Sequence, residues 1–189
     1  MKDLGSKTLE TERLILRKTE EKDLKRLWEI LWIEDVNKYY LTSKINKDWE
    51  EEKKWQYKKL EKASDPDVYC WTITTKDNTV IGQITVQEMK EKKENYRDIG
   101  WFLDPKYQHL GYAYEAANKI LNYMFQETGL EGIITSAAII NKPSWNLMEK
   151  LGFKRLQTTH KEKYTFIEEP VEVYEYQCLK TDFLKGKEE

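Results

Sequence analysis

The chain has 189 residues, 39% of them hydrophobic and 35% charged, with 32 basic residues against 34 acidic ones. That length suits one domain whose core needs neither disulfides nor a structural metal, and a net charge of −2 lacks the basic footprint of a nucleic-acid binder. The start of the chain, MKDLGSKTLETERL, has no apolar secretory stretch, and no window approaches the roughly 20 apolar residues of a membrane span, so a soluble, cytoplasmic protein is expected.

Thr11 to Lys18 alternates around Leu14 and Leu16 and reads as a first strand. Thr19, ahead of the acidic turn Glu20–Asp23, is the expected N-cap of a helix that carries Leu24, Leu27, Ile30 and Leu31 at helical spacing to about Ile33. A highly charged helix is predicted over Trp49 to Leu60, closed by Asp65-Pro66-Asp67. Tyr69–Thr75 and Thr79–Gln87 flank the turn signal Asp77-Asn78 and form a predicted hairpin. A charged connector, Met89 to Asn95, leads to a strand at Tyr96–Leu103, stopped by Asp104-Pro105. Ala113, Ala116, Ala117, Ile120, Leu121, Met124 and Phe125 then line one face of a strong helix, ended by Gly129. A strand at Gly132–Ala138, a short helix at Pro143–Lys150, a strand from Phe153 and a last strand near Val171–Leu179 complete the chain. This order predicts a mixed α/β (α+β) fold, with a largely antiparallel sheet, one β-α-β crossover and helices on both faces. Cys70 and Cys178 fall in strand-like runs and read as buried free thiols. Two cysteines with two histidines spell no zinc site, and no metal is expected.

The chemistry points to Asp98–Ala116, where a strand, a short loop and a strong helix follow one another. A helix start offers free backbone N–H groups and a positive partial charge, so it binds phosphate. Gly111 permits close backbone approach, and Ala113 keeps the first turn small. The segment is neither a Lys-containing P-loop nor G-x-G-x-x-G.

Gln108-His109-Leu110-Gly111-Tyr112-Ala113 resembles the [QR]-x-x-G-x-[GA] motif of the GNAT acetyltransferase superfamily. Asn141-Lys142-Pro143-Ser144 with Met148–Phe153 is similar to that family's N-x-x-S…EKLGF segment, and Thr11–Arg17 resembles the ETERLxLR opening of the ribosomal-protein N-terminal acetyltransferase branch. The three blocks stand in family order, and the resemblance covers roughly residues 8–182, leaving 183–189 as a charged tail. It implies a twisted sheet splayed between the Tyr96–Leu103 and Gly132–Ala138 strands, with acetyl-CoA in the opening. Pantetheine would pair with the backbone near Phe102 and Leu103, and pyrophosphate with amides from His109, Leu110, Gly111, Tyr112, Ala113 and Tyr114. Gln108 would shape the loop or donate to a phosphate, and Leu110 stands where many members of the branch carry Lys or Arg.

The implied reaction is direct attack of a primary amine on the thioester. A lysine amine has a pKa of roughly 10.4 and an α-amine one of roughly 7.7–8.0, so a base helps. Asp98, where the branch often places Glu, is the candidate base or water-orienting group, beside the alternative of a solvated carboxylate at a strand start. Ser144 is the candidate acid for the leaving thiolate or partner of the cofactor sulfur. Asn141 would bind pantetheine or a water, and both residues also suit plain helix capping. Tyr107, Tyr112 and Tyr114 read as packing or gating residues. The acceptor pocket is expected within Trp32–Trp55, with Asp35, Tyr39, Tyr40, Trp49 and Glu50, and with Glu168-Glu169-Pro170 at its rim; aromatic rings and carboxylates there would hold a cationic amine. The acceptor would be a small molecule or a protein N-terminus, and the chain a monomer or homodimer. Two other readings stand beside this one: a non-catalytic acyl-CoA-binding protein, and a nucleotide-binding α/β protein.

Overall fold

A computed structural model of the chain describes residues 4–40, 45–62, 68–89 and 93–186. Asp65-Pro66-Asp67, expected to close the charged helix, lies outside them. Alternating apolar residues build the first part of the sheet. β1 (Leu9–Glu10) pairs with β2 (Leu14–Lys18), whose Leu14 and Leu16 are fully buried. β3 (Tyr69–Thr75) and β4 (Val80–Gln87) form the expected hairpin, with Asn78 at φ 67° in the turn. Tyr69, Trp71 and Ile73 enter the main core, while Thr72 and Thr74 are buried on the other face.

β5 (Tyr96–Leu103), β6 (Gly132–Ala138), β7 (Lys154–Glu162) and β8 (Val171–Leu179) complete one eight-stranded sheet in the order β1-β2-β3-β4-β5-β6-β8-β7. Every neighbouring pair is antiparallel except β5 and β6, which are parallel across the single crossover.

Among the helices, α1 (Leu24–Leu31) follows a short 3-10 turn at Glu21–Asp23. Thr19 is not its cap: it is buried, and its hydroxyl accepts from Thr72 Oγ1 at 3.0 Å and Gln83 Nε2 at 3.3 Å. Glu20 takes the cap position, its N–H donating to the Asp23 carboxylate at 2.9 Å. The chain then turns into α2 (Glu34–Tyr40), an element beyond those expected, and α3 (Trp49–Lys62) follows. Leu27, Ile30, Leu31 and Val36 pack around Phe102 on one face of the sheet.

The opposite face carries α4 (Tyr112–Tyr123), whose Ala116 and Ala117 are fully buried and let the helix approach the sheet closely. A wide helical turn, Met124–Thr128, extends α4 to Gly129 at φ 80°. α5 (Lys142–Lys150) lies on β6 and β7. A second element beyond those expected, the short helix α6 (Lys180–Lys185), drives Phe183 into the core against Phe125, with ring centroids 5.2 Å apart. Among the described residues no helix is long and apolar enough to cross a membrane. Cys178 is buried and Cys70 half-buried, and neither is in a disulfide among the described residues.

Candidate active site

The site begins where two strands stop pairing. β5 and β6 share backbone register only at Tyr96–Gly132 and Arg97–Ile133. Past that point the Thr135 hydroxyl donates to the Ile99 carbonyl at 2.9 Å, and the strands diverge. On its other edge β5 stays paired with β4 as far as Leu103 opposite Gly82.

Backbone polar groups alternate sides along a strand. The Asp104 N–H donates to Ile81 at 2.8 Å, and a Cβ on Gly82 would collide with the Phe102 carbonyl. The even-numbered residues of β5 therefore face β4, and Ile99, Trp101 and Leu103 turn their N–H and C=O groups to the open edge. This corrects the expectation for Phe102, whose backbone is engaged with β4 and whose ring is buried under α1 and α2. Trp101 instead turns its backbone groups to the open edge, and only knowledge of β5's partner reveals that parity. The Leu103 carbonyl already accepts from Gln108 Nε2 at 3.1 Å, so Gln108 shapes the loop.

The loop between β5 and α4 is held tightly. The buried Asp104 carboxylate accepts from the Lys106 N–H at 2.9 Å, starting a turn at Pro105–Tyr107, and pairs with Arg26. His109 at φ 60° and Gly111 at φ 83° are both left-handed, a conformation glycine adopts freely and other residues seldom. The first intrahelical bond runs from the Glu115 N–H to the Gly111 carbonyl at 3.0 Å, and no side chain caps α4 among the described residues. The amides of Tyr112, Ala113 and Tyr114 are thus the orphan donors of a twelve-residue helix, at its positive end.

His109, Gly111, Ala113 and Tyr114 line the cleft opened by the strand divergence. Leu110 points outward with 53% of its surface exposed, and Tyr112 packs against the core. Behind the loop stands Arg13. It is part of the opening block, yet nothing in the sequence assigns it a role. Its Nη1 donates to the Leu110 carbonyl at 2.9 Å, its Nε to Glu115 at 2.7 Å, and its guanidinium covers the Tyr112 ring at 4.4 Å.

Across the cleft, Asn141 occupies the cap position of α5, with Pro143 in the first turn. The expected capping role is filled by the Asn141 carbonyl, which accepts from the Ser144 N–H at 3.1 Å, while its side chain makes no capping bond. Asn141 and Ser144 both line the cleft.

Asp98 lies in the same cleft, opposite Gln87 in the β4–β5 register, and Gln87 Nε2 donates to its carboxylate at 3.0 Å. Burial raises the Asp98 pKa above its ordinary value, and Glu162 adds to the rise; hydrogen bonds from Gln87, Thr135 and the Ile99 backbone work against it. Tyr40 lies over this floor, its ring 5.1 Å from Phe102, and burial pushes its phenol up to about 12 while Thr85 hydrogen-bonds it.

Of the expected acceptor residues, Asp35, Tyr39 and Tyr40 line the cleft. Trp49 instead packs on Trp28 at 5.4 Å, and Glu50 pairs with Lys53 on the surface. Residues 41–44 of that stretch lie outside the described set. In place of Glu168 and Glu169, Glu162 and Tyr164 reach the cleft from the β7–β8 side. His160 bridges Glu175 at 2.7 Å and Glu162 at 3.4 Å. Burial lowers its pKa, but the two carboxylates outweigh that and raise it overall.

A sequence profile of the acetyltransferase (GNAT) domain matches residues 13–154, from Arg13 to the first residue of β7. The chain belongs to the GNAT acetyltransferase family. This GNAT chain is 33% identical over 145 residues to YnaD, an uncharacterized N-acetyltransferase of Bacillus subtilis (strain 168), a match covering 77% of this chain and 81% of YnaD. It is also similar to a GNAT-family acetyltransferase from Bacillus anthracis of solved structure, with TM-score 0.77, 30% identity, and 93% and 99% of the two chains covered. Spermidine N-acetyltransferase from Vibrio cholerae, solved with CoA and spermine, shares the fold with TM-score 0.78 at 19% identity, covering 92% of this chain and 99% of its own.

Proposed function

We propose that the chain is an acetyl-CoA-dependent N-acetyltransferase that moves an acetyl group to a primary amine by direct attack. One observation carries this reading: the open edge of β5 at Ile99, Trp101 and Leu103 leads straight to the uncapped start of α4. An extended amide chain pairs with a strand edge, and a pyrophosphate settles on a helix start. Acetyl-CoA carries both groups in that order. Trp101 and Leu103 pair with pantetheine, the amides from His109 to Tyr114 meet pyrophosphate, and Asn141 binds pantetheine or a water.

When bound, acetyl-CoA supplies a thioester carbon open to attack. Asp98 takes the proton of the attacking amine, directly or through one water. The C–N bond forms as the C–S bond breaks, the Ser144 hydroxyl protonates the leaving sulfur, and water in the open cleft restores the Ser144 hydroxyl while carrying away the proton that Asp98 took. The acceptor is a cationic amine, held by the Asp98 and Glu162 carboxylates and the Tyr39 and Tyr40 rings that line the cleft. The fold likeness to spermidine N-acetyltransferase supports that class. The Thr11–Arg17 block favours a protein N-terminus as the second class, and a putative ribosomal-protein-serine acetyltransferase from Vibrio cholerae shares the fold at 18% identity with TM-score 0.70.

Incubation with acetyl-CoA and a panel of diamines, polyamines and short peptides, followed by free-thiol release, tests the proposal. Acceptor-dependent thiol release is expected. CoA binding with no release for any acceptor would overturn it.

A further inference from the structure

Helix α4 carries a carboxylate in its first turn, on the helix end proposed to bind pyrophosphate. Glu115 is half-buried, and left alone its negative charge would compete with a phosphate for the helix dipole. Arg13, about a hundred residues earlier in the chain, answers it three ways. The Arg13 backbone N–H donates to Glu115 Oε1 at 2.9 Å, its Nε donates to Oε2 at 2.7 Å, and its Nη2 lies 2.6 Å from the same oxygen. The remaining arm, Nη1, donates to the Leu110 carbonyl at 2.9 Å. The guanidinium therefore ties the loop residue just before Gly111 to the helix residue that completes the first turn of α4.

Its position is behind the loop. The cleft is lined by His109, Gly111, Ala113 and Tyr114, and not by Arg13, Leu110 or Glu115. A Cβ added to Gly111 would come within 3.3 Å of Arg13 Nη2, so Arg13 abuts the loop at its left-handed hinge. The first half of the loop is fixed by the Asp104 turn and by the Gln108 side chain on Leu103, whereas His109, at φ 60°, sits in a backbone region that needs outside support to persist.

We infer that Arg13 is a positioning residue for the pyrophosphate end of the donor site, bracing the His109–Gly111 loop from behind and neutralising Glu115. This rests on the proposed function. Arg13 acts through the loop amides and touches no donor atom.

The test uses the full chain and Arg13→Gln, with Arg13→Lys as a second variant that keeps the charge but cannot reach Leu110 and Glu115 together. Three readouts are taken: CoA binding by calorimetry, amide exchange over residues 108–114, and the kcat/KM ratio for acetyl-CoA against S-acetylpantetheine, which lacks the pyrophosphate. Loss of charge-assisted hydrogen bonds of this kind weakens CoA binding by about tenfold or more in Arg13→Gln. The kcat/KM ratio falls by a similar factor, the loop amides exchange faster, and Arg13→Lys falls between the two. A generally damaged fold would lower both donors equally and leave the ratio unchanged, which overturns the inference. Unchanged loop exchange with unchanged CoA affinity also overturns it while leaving the proposed function intact. A wild-type chain that binds no CoA overturns both.

Discussion

At the scale of single residues, two partly desolvated carboxylates, Asp23 in a 3-10 turn and Asp98 on strand β5, have opposite fates. Asp23 is almost fully buried; burial alone raises its pKa, but a bidentate pair with Arg17 at 2.6 and 2.8 Å and the Glu20 N–H outweigh it and hold the pKa below its ordinary value. A group depressed in the folded state adds stability above its unfolded pKa and loses it as pH falls through the folded value. The contribution of Asp23 is therefore present at neutral pH and fades below about 3.9. Arg17→Ala is expected to cost about 3–5 kcal/mol in denaturant unfolding at pH 7, because it strands a buried charge, and much less at pH 3. Asp98 has the reverse sign. Its raised pKa means the fold favours the protonated form, with stability present below the unfolded value and lost as pH rises through the folded one. At neutral pH its ionised carboxylate costs stability, a cost that the proposed role as base would put to use. Asp98→Asn is thus expected to raise Tm at pH 7 while lowering kcat by about 10²–10⁴-fold and removing the acid limb of the pH–rate profile. An unchanged kcat in the Asp98→Asn variant would dismiss Asp98 as the base. Asp98 became a candidate only through the resemblance to GNAT proteins; the Arg17 grip on Asp23 was not legible, because it turns on burial that spacing does not reveal.

At the scale of elements, the strands and α4 were legible because their apolar residues repeat with the period of the structure they form. β5 and β6 occupy the expected ranges, and the apolar face of α4 is the buried one. The seven-residue α2 is too short to show a helical period, and its position is fixed locally by the Val36 and Asn37 N–H groups returning to Ile33. Thr19 resembles a cap in sequence because a hydroxyl before an acidic turn is also what a buried polar network needs. α6 is hidden by a charged terminal sequence in which only Phe183 and Leu184 signal packing. Gly111 was singled out in the sequence for close backbone approach, and the structure adds a separate need for glycine there, a left-handed φ. Gly111→Ala places a side chain at φ 83°, so a cost of about 1–2 kcal/mol is expected, together with a weaker CoA affinity measured by calorimetry. An alanine variant that keeps both stability and affinity would mean that the left-handed turn is dispensable.

At the scale of the whole molecule, the sheet consists of two runs of strands, β1 to β5 and β6 to β7, joined by two backbone register pairs and the Thr135–Ile99 bond. The divergence is foreseen only through the resemblance to GNAT proteins; no residue spacing encodes where a parallel pair separates. The main core nevertheless spans both runs, with Leu16, Ile84, Ile99, Ile133 and Tyr176 in one cluster. Thr135→Val is expected to cost about 1 kcal/mol for the lost hydrogen bond, read by chemical denaturation. The same variant relieves Asp98 of one opposing hydrogen bond, so its acid limb is expected to move to higher pH.

The open edge of β5 has a thermodynamic consequence of its own. Trp101 and Leu103 direct backbone groups into the cleft, where under the proposed function the donor molecule hydrogen-bonds them as a neighbouring strand does. Binding and folding are then linked equilibria, and a ligand at one hundred times its Kd adds about 2.7 kcal/mol to the folded state. Thermal unfolding is expected to shift upward with CoA concentration, and the Trp101 and Leu103 amides to gain exchange protection only when CoA is present. The resistance of this protein to unfolding would then report the acetyl donor supply around it.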